Sequence, residues 1–293
     1  MIFDEKILRK LNNLTLVARQ VRAGLLKGER RSTKRGTSLE FADYRDYSPG
    51  DDLRQLDWNV YARLDRPYVK LMEEEEDLAV HILIDGSLSM DWGEEENHKF
   101  TYALHLSAAL GAIALNDGDQ LTVALMQRER SGRLLGPIRG ASHLFNLLAY
   151  LESQQTGGTT NISRSIRDYL TTPRRTGVVF LLSDLFSPTD FFEGIVELLS
   201  RGNEVILVHI LAPDEIDPQF TGDLRLIDVE TNAFQEVSLD RGVQKLYQDH
   251  FRSWMGEIHQ RCIQREVRYL PAVTSQPWEQ LILRELRKSG IIR

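Results

Sequence analysis

The sequence predicts an α/β protein with a mostly parallel central sheet, and three observations predict it. From residue 78 onward, short apolar runs alternate with helical patterns, which is how βαβ units appear in a sequence. The runs Leu78–Ile84 and Gly177–Leu182 read as buried parallel strands, each ending at an Asp. Between them Lys99–Asn116 is dense in Ala, Leu and Gly, including Ala103, Ala108, Ala109, Gly111 and Ala112, so the helix it forms can approach a sheet closely.

The elements follow in order. Residues 4–26 carry apolar side chains at Ile7, Leu8, Leu11, Leu14, Leu16, Val17, Val21, Leu25 and Leu26, a spacing that suits an amphipathic helix. Lys27–Gly36 is a basic polar segment. It reads either as a solvated loop or as a contact for acidic surface or phosphate. Residues 37–77 are rich in Asp, Arg, Tyr and Trp and poor in aliphatics, which predicts short strands and turns, with Ser48-Pro49-Gly50-Asp51 as a turn and Tyr68–Met72 as a strand. The acidic run Glu73–Asp77 reads as a charged loop or strand edge. Beyond it come the helix at Lys99–Asn116, a strand at Gln120–Met126, a short edge strand at Arg133–Leu135 and helices at His143–Leu151 and Ile162–Leu170. A helix at Pro188–Arg201, a buried strand at Glu204–Leu211 and a hairpin of Leu224–Val229 with Phe234–Leu239 follow. A long helix at Gly242–Arg265, a last strand at Val267–Leu270 and a closing helix at Trp278–Ser289 complete the chain. The division is an N-terminal helix and charged extension over 1–77 and an α/β domain over 78–293.

Composition narrows the function classes. A formal charge of −7 over 293 residues argues against a protein whose main business is nucleic acid. The lone Cys262 excludes an intrachain disulfide framework and a Cys-rich zinc module. No run approaches the ~18 consecutive apolar residues of a membrane span, and the start Met1–Lys6 lacks the pattern of a secretory signal. The expectation is a soluble cytoplasmic protein.

Asp85-Gly86-Ser87-Leu88-Ser89 follows the first strand and delivers a carboxylate and two hydroxyls to its carboxyl end, the edge where open α/β sheets place their ligands. Taken alone, that pattern is also a capping turn. Two later segments add to it: Gly157-Gly158-Thr159-Thr160-Asn161, a glycine turn opening a helix, and Ser183-Asp184-Leu185, the end of another apolar strand. Thr160 is preferred to Thr159 because it stands six residues before Ile166, where the following helix settles on the sheet. All these groups offer oxygen, which suits Mg²⁺, Mn²⁺ or Ca²⁺ better than zinc or copper.

Together the three segments resemble the metal-ion-dependent adhesion site of von Willebrand factor type A domains, whose fold is Rossmann-like. On that resemblance Asp85, Ser87, Ser89, Thr160 and Asp184 match the five motif positions. The three hydroxyls are neutral, so the two aspartates alone oppose the ion's charge. An ion held in part through water stays electrophilic, and a partner's carboxylate completes its shell. Such a site binds an acidic ligand without supplying a nucleophile or a proton shuttle.

Catalytic patterns are absent: no Gly-x-Ser-x-Gly elbow, no His-Glu-x-x-His, no Gly-Lys-Ser/Thr phosphate loop and no Cys-x-x-Cys. The seven histidines are scattered, and His81 and His105 read as structural residues within a strand and a helix. The enzymatic alternative is a metal-dependent phosphoester hydrolase using Asp85 as nucleophile. It would want a carboxylate two positions on, where this chain has Ser87.

The block Gly36–Trp58, continuing through Ala62-Arg63 to Glu74-Glu75, resembles the hallmark segment of the bacterial domain-of-unknown-function-58 family. With the adhesion-type motif, the resemblance spans roughly residues 25–290. It implies a non-enzymatic, chaperone-like adaptor that works with a MoxR-type AAA+ ATPase on a client protein. The residues 40–63 themselves read two ways: Tyr44, Tyr47 and Trp58 packing while Glu40, Asp43, Arg45, Asp46, Asp51, Asp52, Arg54, Asp57 and Arg63 satisfy turns, or a docking surface for the ATPase or client.

Overall fold

A computed structural model describes residues 11, 14–17, 39–48, 50–51, 54, 56–74, 78–94, 97–127, 134–187, 189–219, 222–227, 234–239 and 241–293. The basic segment 27–36 and the end of the acidic run lie outside them. Contacts divide the chain into two units, Lys27–Asp77 and a larger one joining Met1–Leu26 to Leu78–Arg293.

In the smaller unit, β1 (Leu39–Asp46) pairs antiparallel with β2 (Tyr68–Glu74), and between them runs α1 (Trp58–Leu64). The sequence gives no amphipathic period for α1, and its ends explain why it forms. Asp57 accepts from the Asn59 and Val60 amides at its N-terminus, satisfying donors that a helix leaves open. Asp65 ends it in the left-handed region, φ 51°. The Tyr44 hydroxyl donates to the other Asp57 oxygen at 2.8 Å, and Arg45 meets Asp51 at 2.7 Å. Some of the alternating charges of this block therefore satisfy caps and turns.

The larger unit holds a six-stranded sheet in the order β10-β7-β6-β3-β4-β5, formed by β3 (Ala79–Asp85), β4 (Gln120–Met126), β5 (Leu135–Arg139), β6 (Val178–Ser183), β7 (Glu204–Leu211) and β10 (Arg268–Val273). Every pairing is parallel except β4 with β5 at the edge. A separate antiparallel hairpin joins β8 (Gly222–Ile227) to β9 (Phe234–Leu239). The architecture is Rossmann-like α/β, as the alternation of patterns predicts.

Both sheet faces are covered. On one, Val80, Ile82 and Ile84 pack in a core with α2 (Lys99–Asn116), α3 (Leu144–Glu152) and the C-terminal residues Leu281, Ile282 and Leu286. On the other, Leu83, Val179 and Leu181 meet Ile162 and Ile166 of α4 (Ile162–Leu170), Phe192 and Ile195 of α5 (Phe192–Ser200), and Ile258 and Cys262 of α7 (Arg241–Ile263). Between β7 and β8 stands a single turn, α6 (Pro213–Ile216). The chain closes with α8 (Trp278–Gln280), which continues as a π-helix over Leu281–Leu286. Among the described residues no helix is long and apolar enough to cross a membrane.

Three expectations are corrected. The helix over 4–26 falls largely outside the described residues, but Leu14–Val17 is not helical. Leu16 bridges to Ile292, and the Thr15 and Val17 amides donate to the carbonyls of Arg293 and Ile291. The apolar pair Leu14 and Leu16 follows a period of two, and a free edge at the C-terminus gives it a partner. The edge strand lies at Leu135–Arg139, later than expected. The helix expected from Pro188 starts at Phe192, where the Asp190 carboxylate accepts the Phe192 amide.

The close fit of β3 to the start of β6 yields a stability prediction. A Cβ on Gly177 would overlap the Ala79 carbonyl oxygen, whereas one on Gly157 has nothing within 4 Å. Gly177→Ala is expected to cost about 1–3 kcal/mol in urea unfolding, with Gly157→Ala close to wild type.

Candidate functional site

The sheet order places a topological switch point between β3 and β6. From β3 the chain goes to β4 on one side; it later returns to β6, on β3's other flank, and continues to β7 and β10. Crossover connections leave in opposite directions there, and open α/β sheets place their ligands beyond the carboxyl ends of the strands at such a point. Ile84 stands opposite Leu182, which puts Asp85 level with Ser183, and Asp184 follows one residue further along the neighbouring strand.

Asp85, Ser87, Thr160 and Asp184 are all buried, and Ser89 is half-buried. The Ser87 amide donates to one Asp85 oxygen at 3.0 Å, folding the Asp-x-Ser turn back on itself, and the Ser87 and Ser89 hydroxyls lie 2.9 Å apart. The loop carrying Thr160 is tied to this turn by Gly157 N to Gly86 O at 2.9 Å and Leu88 N to Gly158 O at 3.0 Å. Thr160 donates its hydroxyl proton to Met126 O, 3.2 Å away, on the β4 residue paired with Asp85, which leaves the oxygen's lone pairs able to accept. The loops bearing the five sequence-derived residues thus converge at one sheet edge.

Four further side chains shape the site, and sequence reading did not single them out. Ser183 donates to the second Asp85 oxygen at 2.6 Å and accepts the Leu185 amide at 2.9 Å. Lys99, fully buried, reaches Asp184 at 2.7 Å and Glu215 at 2.5 Å. Glu215 accepts the Ala212 amide on its other oxygen at 2.7 Å. The His209 ring bonds through Nε2 to the Asp184 carbonyl at 3.0 Å and through Nδ1 to the Tyr269 hydroxyl at 2.7 Å. A carbonyl only accepts, so Nε2 carries the proton; burial keeps the ring neutral, and Tyr269 then donates to Nδ1. One signal was available in the sequence: Lys99 is the only Asp, Glu, Lys or Arg in the apolar segment Lys99–Asn116. His81, by contrast, is structural as expected, held by the Arg175 carbonyl and the Tyr169 hydroxyl.

Among the described residues no group of three or more His, Cys, Asp and Glu side chains forms a metal cluster. The donors gathered here are two carboxylates and three hydroxyls. Burial first, and then the charge of Asp184, push the Asp85 carboxyl up to about 6, against the bonds from Ser183 and Ser87. Burial holds His209 down at about 4, against the pull of Asp184. Burial also raises Glu215, while Lys99 draws it back.

These shifts oppose each other in one pH window. Asp85 binds its proton more tightly folded than unfolded, so its contribution to stability is full below the ordinary value of 3.8 and is lost as pH rises to about 6. His209 does the reverse: the unfolded ring protonates near 6.5 and the folded one near 4, so stability is gained over that rise. Asp85→Asn removes only the first effect. In chelator, the variant is expected to gain about 3 kcal/mol on wild type between pH 4 and pH 7. Denaturant unfolding at both pH values measures the gain, and a difference between variant and wild type that stays the same from pH 4 to pH 7 would refute the cost of ionising Asp85 in the fold.

The sequence profile of the family described as protein of unknown function DUF58 matches residues 43–254. Uncharacterized proteins of Mycobacterium bovis and Mycobacterium tuberculosis are each 28% identical over 243 residues, spanning 82% of this chain and 76% of theirs. Among solved structures, the conserved hypothetical protein BatB from Bacteroides thetaiotaomicron shares 16% identity at a TM-score of 0.43, over 73% of this chain and 98% of its own. An aerotolerance-related membrane protein from Bacteroides fragilis shares 16% identity at a TM-score of 0.43, over 72% of this chain and 99% of its own. Superpositions that loose carry no functional weight. The profile match covers most of the chain, from the Tyr- and Asp-rich block through all five candidate ligands, and the chain belongs to the DUF58 family.

Proposed function

We propose that this protein is a non-enzymatic interaction module with a von Willebrand factor type A-like metal site. Asp85, Ser87, Ser89, Thr160 and Asp184 would hold a divalent ion, Mg²⁺ or else Mn²⁺ or Ca²⁺, and a partner's Asp or Glu would complete its shell. The observation that carries this reading is the pair of buried carboxylates at the switch point, where the charge of Asp184 adds to the cost of ionising Asp85 and neutral hydroxyls stand alongside. A cation between them relieves that cost, and hard oxygen donors suit such an ion. The residues fit the group the motif implies.

The surroundings favour a macromolecular ligand. Trp92 and Phe186, 43% and 41% exposed, belong to the segments that flank Lys99 and Asp184, and aromatic side chains of this kind anchor protein interfaces. Phe186 stacks on Trp254 at 5.3 Å, which fixes its ring. We assign the module to a cytoplasmic adaptor that brings a client to a MoxR-type AAA+ ATPase, an assignment resting on the family's hallmark block.

Two measurements test this. Mn²⁺ binding followed by electron paramagnetic resonance is expected to weaken at least about tenfold, ~1.4 kcal/mol, in Ser87→Ala with Ser89→Ala, while the unfolding midpoint stays near wild type. Capture of a purified MoxR-type ATPase should need Mg²⁺ and fail in chelator. Capture indifferent to chelator would sink the reading, and phosphoester turnover abolished by Asp85→Ala would replace it with a hydrolase.

A further inference from the structure

Lys99 occupies an unusual place. It is 1% exposed, it opens α2, and its ammonium lies between Asp184 at 2.7 Å and Glu215 at 2.5 Å. The aligned peptide dipoles already make a helix N-terminus positive, so an ammonium there is held by its two carboxylates against the helix. Asp184 has one oxygen on the Phe186 amide at 3.1 Å and the other on Lys99. Glu215 is anchored through its other oxygen by Ala212 N, which makes it a fixed acceptor. One ammonium is therefore shared between a carboxylate inside the candidate metal site and a carboxylate beside it.

We propose that Lys99 is a resident counter-cation that competes with a divalent metal for Asp184, and that Glu215 takes over the ammonium when the metal binds. This rests on the metal-site reading above. With Asp85, Asp184, Glu215 and Lys99 all ionised, the group carries a net charge of −2, which one divalent cation cancels. No side chain need leave the site: the ammonium has three donors and already touches Glu215, so loading requires it only to give up its bond to Asp184. In the unloaded protein Lys99 compensates the charge of Asp184. Metal affinity is set below what the five oxygen donors alone would give, and Glu215 sets by how much.

The test is Mn²⁺ binding to the full chain by electron paramagnetic resonance, for wild type, Glu215→Gln and the double variant Lys99→Met with Glu215→Gln. Circular dichroism checks each fold. Glu215→Gln leaves the ammonium on Asp184 alone and is expected to weaken Mn²⁺ binding about tenfold. The double variant keeps Asp85 and Asp184 and the same net charge of −2, but removes the competitor, so it is expected to bind about tenfold more tightly than wild type. Because charge is conserved, that gain reports competition at Asp184 and not bulk electrostatics. Tight binding by the double variant where wild type binds nothing would also support the proposal. Equal binding by wild type and the double variant overturns it while leaving the metal site standing. Absence of Mn²⁺ binding in all three proteins overturns both.

Discussion

Two carboxylates leave adjacent parallel strands and are buried together at the carboxyl edge of the sheet, where like charges repel and water is not at hand to screen them. The rest of the site is an answer to that repulsion. Ser183 and the Ser87 amide give Asp85 a hydrogen bond on each oxygen; Lys99 and the Phe186 amide do the same for Asp184. The two halves are not equivalent. Asp184 has a full positive charge beside it, whereas Asp85 has only dipoles, and burial and then the charge of Asp184 raise the pKa of Asp85. A group that is buried, acidic and compensated only by dipoles is where an added cation gains most.

That pair depends on topology more than on any loop. β3 is buried along its whole length and flanked by β4 and β6 in parallel register, so the direction in which Asp85 leaves the sheet is fixed by two ladders. The cores on the two faces hold β3 and β6 from both sides, Ile82 and Phe180 on one and Leu83 and Leu181 on the other. Backbone bonds between Gly86 and Gly157 and between Leu88 and Gly158 then tie the hydroxyl-bearing loops to one another. Sites carried on packed strands are held more closely than sites on free loops. The placement of the two carboxylates is thus largely a property of the sheet.

The sequence discloses strands and helices that bury an unbroken apolar surface. Lys99–Asn116, Gln120–Met126, Ile162–Leu170 and Glu204–Leu211 lie where the pattern puts them, because continuous burial leaves a continuous signal. What stays hidden depends on a distant partner. Leu14–Val17 is extended because Ile291 and Arg293 pair with it, and α1 forms where Asp57 caps it in a segment without periodicity. The site divides in the same way. Asp85, Ser87 and Ser89 declare themselves through short spacing, and Thr160 and Asp184 through their places at a helix start and a strand end. Lys99 and Glu215 are 116 residues apart, and no local pattern links them. Ser183 is adjacent to Asp184 yet serves Asp85, a pairing visible only once β6 lies beside β3.

Lys99 couples the site to the largest helix on its face of the sheet. Removing one member of a buried charged pair typically costs about 3–5 kcal/mol, since the other is left without compensation. The first residue of α2 is thus held in place by the carboxylates of Asp184 and Glu215. The same residue's amide donates to Trp92 O at 2.9 Å, and the cap residue His98 contacts Asp91 at 3.1 Å, so the helix start is also bound to the segment that follows Ser89. Asp184 is linked through Lys99 to Glu215 beyond β7 and, through the start of α2, to Asp91 and Trp92 beyond the Asp-x-Ser-x-Ser turn. Trp92, on the second of these segments, and Phe186, two residues after Asp184, are exposed aromatic side chains. The buried carboxylates are in this way connected, through one ammonium and one helix terminus, to exposed aromatic side chains at the surface.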